Sequence, residues 1–133
     1  MDKLSIIMYS GTLEKFIPLG VLSQAAAALN FQVNIFVAGF GLLGFLKQEQ
    51  ALPFAKEFEG FAPQLIAGMA KNNVPSWKAM LHDAKAHGAK IYVCSMTASA
   101  MNLKKEDFDP LVDDVVGAAS FILAAEDGEV IFI

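Results

Sequence analysis

Strand-type and helix-type segments alternate along the chain, and this predicts an α/β fold built on a five-stranded, mainly parallel sheet. Three observations carry the prediction. Five short β-prone runs recur, at residues 3–9, 31–37, 90–94, 113–118 and 129–133. Helix-type stretches, several with start or stop signals, separate most of them. The chain of 133 residues holds a single cysteine, so no intramolecular disulfide framework replaces a packed core. A length of this order suits one domain over residues 1–133, with enough buried surface for a core without metal or disulfide staples.

The first run, KLSIIMY (3–9), is apolar and ends at SGT (10–12), which reads as a buried strand and a turn. Residues 13–30 follow with an alanine run that favours helix, Thr12 as N-cap and Glu14 in the first turn. Pro18 either kinks this helix or marks the start of its regular part. FQVNIFV (31–37) alternates and is the second strand. AGFGLLGFLKQEQ (38–50) reads as an apolar loop with a short helix. Residues 51–73 carry Pro53, Gly60, Pro63 and Gly68, an irregular excursion that is helical in pieces. Residues 74–88 form a helix with Ser76 as N-cap, an apolar stripe through Trp77, Met80, Leu81 and Ala84, and Gly88 past its end. KIYVC (90–94) is the third strand, and 95–108 a turn and short helix with a solvated end. DDVVGA (113–118) is the fourth strand. A helix at 119–127 stops at Gly128, and EVIFI (129–133) is the fifth strand.

Composition narrows the function classes. Net charge is −4, and all ten basic residues are lysines. Arginine is the usual bidentate partner of phosphate and guanine, so its absence argues against a nucleic-acid partner. The longest apolar region, residues 31–46, falls short of the roughly 20 residues a membrane helix needs and carries Gln32 and Asn34. Asp2 and Lys3 precede only a short apolar stretch with no cleavage-type ending, so a cytoplasmic protein is expected. The apolar fraction of 55% is high and points to contacts between copies, or less readily to a membrane-facing patch.

Cys94 is the residue that raises a chemical question. It closes the third strand, and ligands of open parallel sheets bind beyond the carboxyl ends of the strands. Ser95, Thr97 or Ser99 would cap the helix that follows, and orphan amides at such a helix start favour a thiolate. The bland alternative is a packed core thiol, since free cysteine is among the most buried residue types. Ser10 and Gly11, in the turn after the first strand, are candidates to hold a small anion through backbone amides. Gly39 and Phe40 belong to an apolar wall beside the strand ends or to a subunit contact. Met96, two residues past the cysteine, would line a site. His82 and His87 are five apart, off the spacing of a metal pair, and no metal or cofactor is expected. KKED (104–107) reads as a solvated helix end.

Taken together, KLSIIMYSG, VNIFVAGFGLLGFLK and above all KIYVCSMTASAMNLKKEDF resemble the DsrE/DsrF-like family of sulfur-trafficking proteins, in particular its DsrE-related, peroxiredoxin-like subgroup. The resemblance implies a three-layer α/β/α sandwich with a five-stranded sheet, assembled as a trimer or hexamer. It implies that Cys94 carries sulfane sulfur as a persulfide, or thiosulfate as a thiosulfonate, between sulfur donor and acceptor proteins or small sulfane compounds. Ser10, Gly11, Gly39, Phe40, Ser95, Met96 and Thr97 would then surround the cargo. With no second thiol in the chain, release depends on a partner's thiol or a small thiol. The missing resolving cysteine and PxxxTxxC motif set the chain apart from true peroxiredoxins. The competing expectations are a non-catalytic, oligomeric binding module for a small anion or cofactor with a structural cysteine, and an adaptor docking through GFGLLGFL.

Overall fold

The structure is a computed structural model describing residues 2–133. Its sheet has five strands, β1 (Lys3–Met8), β2 (Gln32–Val37), β3 (Lys90–Cys94), β4 (Asp114–Val116) and β5 (Glu129–Phe132), in the order β4-β3-β2-β1-β5. All four pairings are parallel. Five helices accompany them: α1 (Leu13–Ala28), α2 (Ala62–Lys71), α3 (Trp77–Ala86), α4 (Ser95–Ala100) and α5 (Ala118–Ala125).

Each crossover between parallel strands is expected to be right-handed, so the direction of travel decides which face a helix covers. Going from β1 to β2 to β3 the chain moves one way across the sheet and lays α1 and α3 on one face. There Phe16, Leu19, Leu81 and Ala84 pack on Ile6, Ile35 and Ile91. Going from β4 to β5 the chain returns across the whole sheet, and α5 lands on the opposite face. The strand residues of opposite parity, Phe36 and Cys94, meet Phe121 and Ala125 of α5 there. Helices therefore cover both sides of the sheet, as expected, but unequally.

α1 runs unbroken through Pro18, because a proline at that position forgoes only one bond back toward the first turn. Thr12 occupies the N-cap position without capping; its hydroxyl instead donates to the Glu14 carboxylate. Glu14 Oε1 also accepts from the Ala55 amide at 2.8 Å, while Leu13 N donates to the Pro53 carbonyl at 2.8 Å. Burial pushes the Glu14 carboxyl up, yet the bonds from Thr12 and Ala55 outweigh it and hold the group below its ordinary value. These contacts fasten the excursion to α1. Its start is fixed by a bridge between Leu46 and Phe108 and by Lys47 N donating to Asp107 O at 2.9 Å.

Residues 39–45 form a 3-10 helix whose Leu42 and Phe45 are fully buried in the main core. GFGLLGFL is thus mostly core wall, with only Phe40 strongly exposed, and the adaptor reading loses its surface. α3 starts where expected, with Ser76 Oγ accepting from Ala79 N at 3.1 Å, and Gly88 takes a left-handed φ of +99° after it. Asp113 Oδ2 accepts from Lys85 Nζ at 2.6 Å and from Ile91 N at 2.8 Å, joining α3 and β3 to the start of β4. The expected stop at Gly128 differs in detail. Asp127, not Gly128, takes the left-handed turn, at φ 64°. Gly128 instead lets the backbone pass close to Lys3, where a Cβ would lie 2.9 Å from the Lys3 carbonyl oxygen.

The α1–α3 crossing is close because Gly20 presents no side chain. A Cβ there would sit 3.1 Å from the Trp77 Cα and carbonyl oxygen. In Gly20→Ala, relief of glycine's helix penalty of about 1 kcal/mol offsets the crowding, so stability stays near wild type. Gly20→Val gains no such offset and forces the helices apart, with an expected loss of about 1–3 kcal/mol in denaturant unfolding. A Val variant as stable as wild type would show that the crossing has slack.

Candidate functional site

Along β3, Ile91 and Val93 point into the main core, while Tyr92 and Cys94 point to the α5 side. Cys94 is 6% exposed and shares its cluster with Phe36 and Phe121, whose rings stack at 4.8 Å between centroids and 17° between planes. Ile7, Ala38, Tyr92 and Val116 complete the surroundings. Every one of these neighbours is apolar apart from the tyrosine hydroxyl, and none carries charge.

The expected turn between strand and helix does not exist. α4 begins at Ser95, and Cys94 itself is the N-cap residue, where Ser95, Thr97 or Ser99 had been expected. A serine or threonine cap works by folding its oxygen back on the helix amides. Cys94 makes no side-chain cap hydrogen bond, because strand parity sends its side chain under α5. Thr97 is used elsewhere: its Oγ1 accepts from Gly39 N at 3.2 Å and ties α4 to the segment after β2.

The other candidate residues gather along the same edge. Gly39 has φ +52°, and a Cβ on it would meet the Tyr9 ring at 2.4 Å, so the aromatic ring lies directly on the glycine. Gly11 approaches the Phe40 backbone equally closely, with a built Cβ 2.9 Å from its carbonyl oxygen. Ser10 N donates to the Ile133 carbonyl at 3.2 Å, so its amide is already engaged with the fifth strand rather than open to an anion. Ser95 is partly buried, with Oγ the nearest atom to a Cβ built on Gly117, at 4.0 Å. Met96 is 77% exposed and stands on the surface beside the thiol's strand end. The edge therefore brings Gly39 to Thr97 and Gly11 to Phe40.

Two contributors had not been singled out in the sequence, Phe36 and Phe121. Phe36 was findable, since it pairs in register with Tyr92 and so shares the face of Cys94. Tyr9 adds a third feature, stacked on Phe132 at 5.9 Å and edge-on to Phe40 at 6.1 Å. Both partners are exposed, so an uncharged aromatic rim stands at the carboxyl ends of β1 and β5, across β2 from the thiol's strand.

Residues 47–133, which include Cys94 and its helical cover, match the DsrE/DsrF/DrsH-like family. The chain belongs to this family. Among curated relatives, the uncharacterized protein YrkE of Bacillus subtilis is 26% identical over 152 residues, covering 95% of this chain and 92% of its own. Among solved structures, MTH1491 of Methanobacterium thermoautotrophicum superposes with a TM-score of 0.64 at 14% identity, each chain covered completely. The ychN protein of E. coli gives a TM-score of 0.64 at 9% identity, with 99% of this chain and 98% of the other covered. These structural likenesses establish a shared fold.

The stacked phenylalanines predict how Cys94 is reached. Phe121→Ala removes one wall of the thiol's cluster, and large-to-small changes at such sites cost about 3–5 kcal/mol. Cys94 in that variant should react with an aromatic disulfide reagent at least about ten times faster than in wild type, because one wall of its cover is gone. Phe40→Ala, on the exposed rim, serves as the control and should react at the wild-type rate. Equal rates in Phe121→Ala and wild type would mean that the thiol is reached by a path not involving α5.

Proposed function

We propose that this chain is a sulfur carrier that holds sulfane sulfur as a persulfide on Cys94. The observation that carries the reading is the placement of the chain's only thiol in a fold of the DsrE-like kind: at the carboxyl end of a sheet strand, under a single helix and against the stacked rings of Phe36 and Phe121. In the loading step the Cys94 thiolate attacks a sulfane sulfur of a polysulfide or a donor persulfide. A Cys94 S–S bond forms, the donor's S–S bond breaks, and its electron pair leaves with the donor thiolate. In delivery an acceptor thiol attacks the outer sulfur and Cys94 leaves as thiolate. No second thiol is present to resolve the intermediate internally, so each step needs another molecule.

The apolar surroundings favour persulfide over thiosulfonate as the cargo. A thiosulfonate would place a permanent anionic group among Phe36, Phe121, Ala38 and Val116, and a buried charge without a partner is strongly disfavoured. Burial of Cys94 also supports the second reading, a structural thiol in a binding module, and the same experiment separates the two.

Reduced protein treated with polysulfide should gain the mass of sulfur at Cys94, reversibly with dithiol, and Cys94→Ser should gain none. Treated with tetrathionate, it should load a smaller fraction. Native protein that loads no faster than an unfolded control at equal thiol concentration would overturn the carrier reading in favour of the structural one.

The same reading includes self-association. Ile122 and Leu123 of α5, with Val130 and Phe132 of β5, leave a broad apolar face open on the thinly covered side. Monomers seldom leave this much contiguous apolar surface in water. The chain is expected to be a trimer or a multiple of it by light scattering at micromolar concentration. Leu123→Lys should shift it toward monomer, and a wild-type monomer of 14.3 kDa would end the idea.

A further inference from the structure

A second concavity lies on the far face of the sheet from Cys94, beneath the excursion, and no function has been given to it. It consists of two adjacent chambers of about 340 and 290 Å³ that share Leu13, Ser76 and Trp77 in their walls. Either is near the lower limit of small-molecule sites, about 300–1,000 Å³, and a ligand that spans both has a volume well inside it. One chamber is polar at its wall, with Glu49, Gln50 and Lys78. The other is apolar, lined by Ile17, Phe54, Leu65, Ile66 and Met69.

From this polarity we infer that the cleft takes a single-chain amphiphile with a carboxylate head in the Lys78 chamber and its tail between α2 and α1. The head assignment follows from the balance of hydrogen-bonding groups. Lys78 Nζ is bound to Glu49 at 3.0 Å and Asp109 at 3.2 Å, which leaves its third N–H. Ser76 Oγ accepts from Ala79 N, so its own O–H is left to donate. The carboxylate in the wall, Glu49, is largely exposed, and an ion pair of that kind contributes little and exchanges for water easily. Once Glu49 turns outward, the wall offers donors from Lys78, Ser76 and the Gln50 amide, which suits an acceptor head.

The tail assignment follows from α2. None of its residues is buried, although Leu65 and Ile66 are large and apolar. A helix in that position gains cover when a hydrocarbon chain fills the space beneath it, because apolar surface on both leaves water. Trp77 stands at the junction, its indole packed on Phe16 at 4.6 Å and edge-on to Phe45 at 5.5 Å. Head and tail would therefore lie on either side of the indole.

Trp77 is the chain's only tryptophan and reports on the cleft directly. Full-length protein is titrated with decanoate, decanol and decylamine, each below self-association, while Trp77 emission is followed. Decanoate should give a saturable change, with decanol and decylamine weaker by about tenfold, the worth of one charge-assisted hydrogen bond. Lys78→Met should bring decanoate down to the level of decanol. Ile66→Glu, at an exposed position where folding is safe, should abolish saturation for all three. An emission that decanoate does not change saturably, equal affinity for decanoate and decylamine, or wild-type binding by Ile66→Glu would each overturn the inference. Sulfur loading at Cys94 plays no part in any of these readouts.

Discussion

A parallel sheet has two faces to bury, and the hand of its crossovers dictates how helices are shared between them. In this chain the order β4-β3-β2-β1-β5 assigns two long helices to one face and the eight residues of α5 to the other. The remaining features follow from that imbalance. The α1–α3 face builds a deep core around Phe16, Leu19 and Phe45, fully shielded from water. The α5 face builds a small aromatic cluster and leaves its outer residues uncovered. Cys94 falls on the thin side because it is an even step from Tyr92 along β3.

The same imbalance separates the deep core from the thiol. The thick side tolerates an excursion of nearly thirty residues fastened at a few points, Leu46, Pro53 and Ala55 among them, without disturbing the sheet. The thin side holds the thiol under one stacked pair of rings. Asn34 Nδ2 donates to the Ala124 carbonyl at 3.3 Å and Lys3 Nζ to the Glu126 carbonyl at the C-cap at 2.8 Å, and the rest of the contact holding α5 is apolar.

Much of this was legible in the sequence, and the reasons are local. Strands such as QVNIFV announce themselves because their side chains alternate between two buried faces. Ser76 and Gly88 marked the ends of α3 because capping and left-handed turns are decided by nearby residues. The position of Cys94 at the carboxyl end of β3 followed from its being the last residue of a β-prone run in a parallel sheet. What was not legible depended on distant partners. Phe121 is twenty-seven residues beyond Cys94, in a segment apolar on every side, so no periodicity said which residue faced the thiol. Cys94 itself took the N-cap that Ser95 or Thr97 would ordinarily fill, because packing under α5 outweighed capping preference. The apolar residues of GFGLLGFL looked like a surface patch, yet Gly41 and Gly44 let them fold inward. A Cβ on Gly44 would lie 2.4 Å from the Phe16 ring.

The stack of Phe36 on Phe121 also bears on time. Cys94 keeps a little exposure beside the two rings, so a bulky reagent needs local openings of the fold to reach it, and those openings have a frequency of their own. Reagents in excess cannot outrun that frequency, so their rates level off at a ceiling belonging to the protein. The pace of such a reagent at Cys94 is then set by the breathing of one short helix.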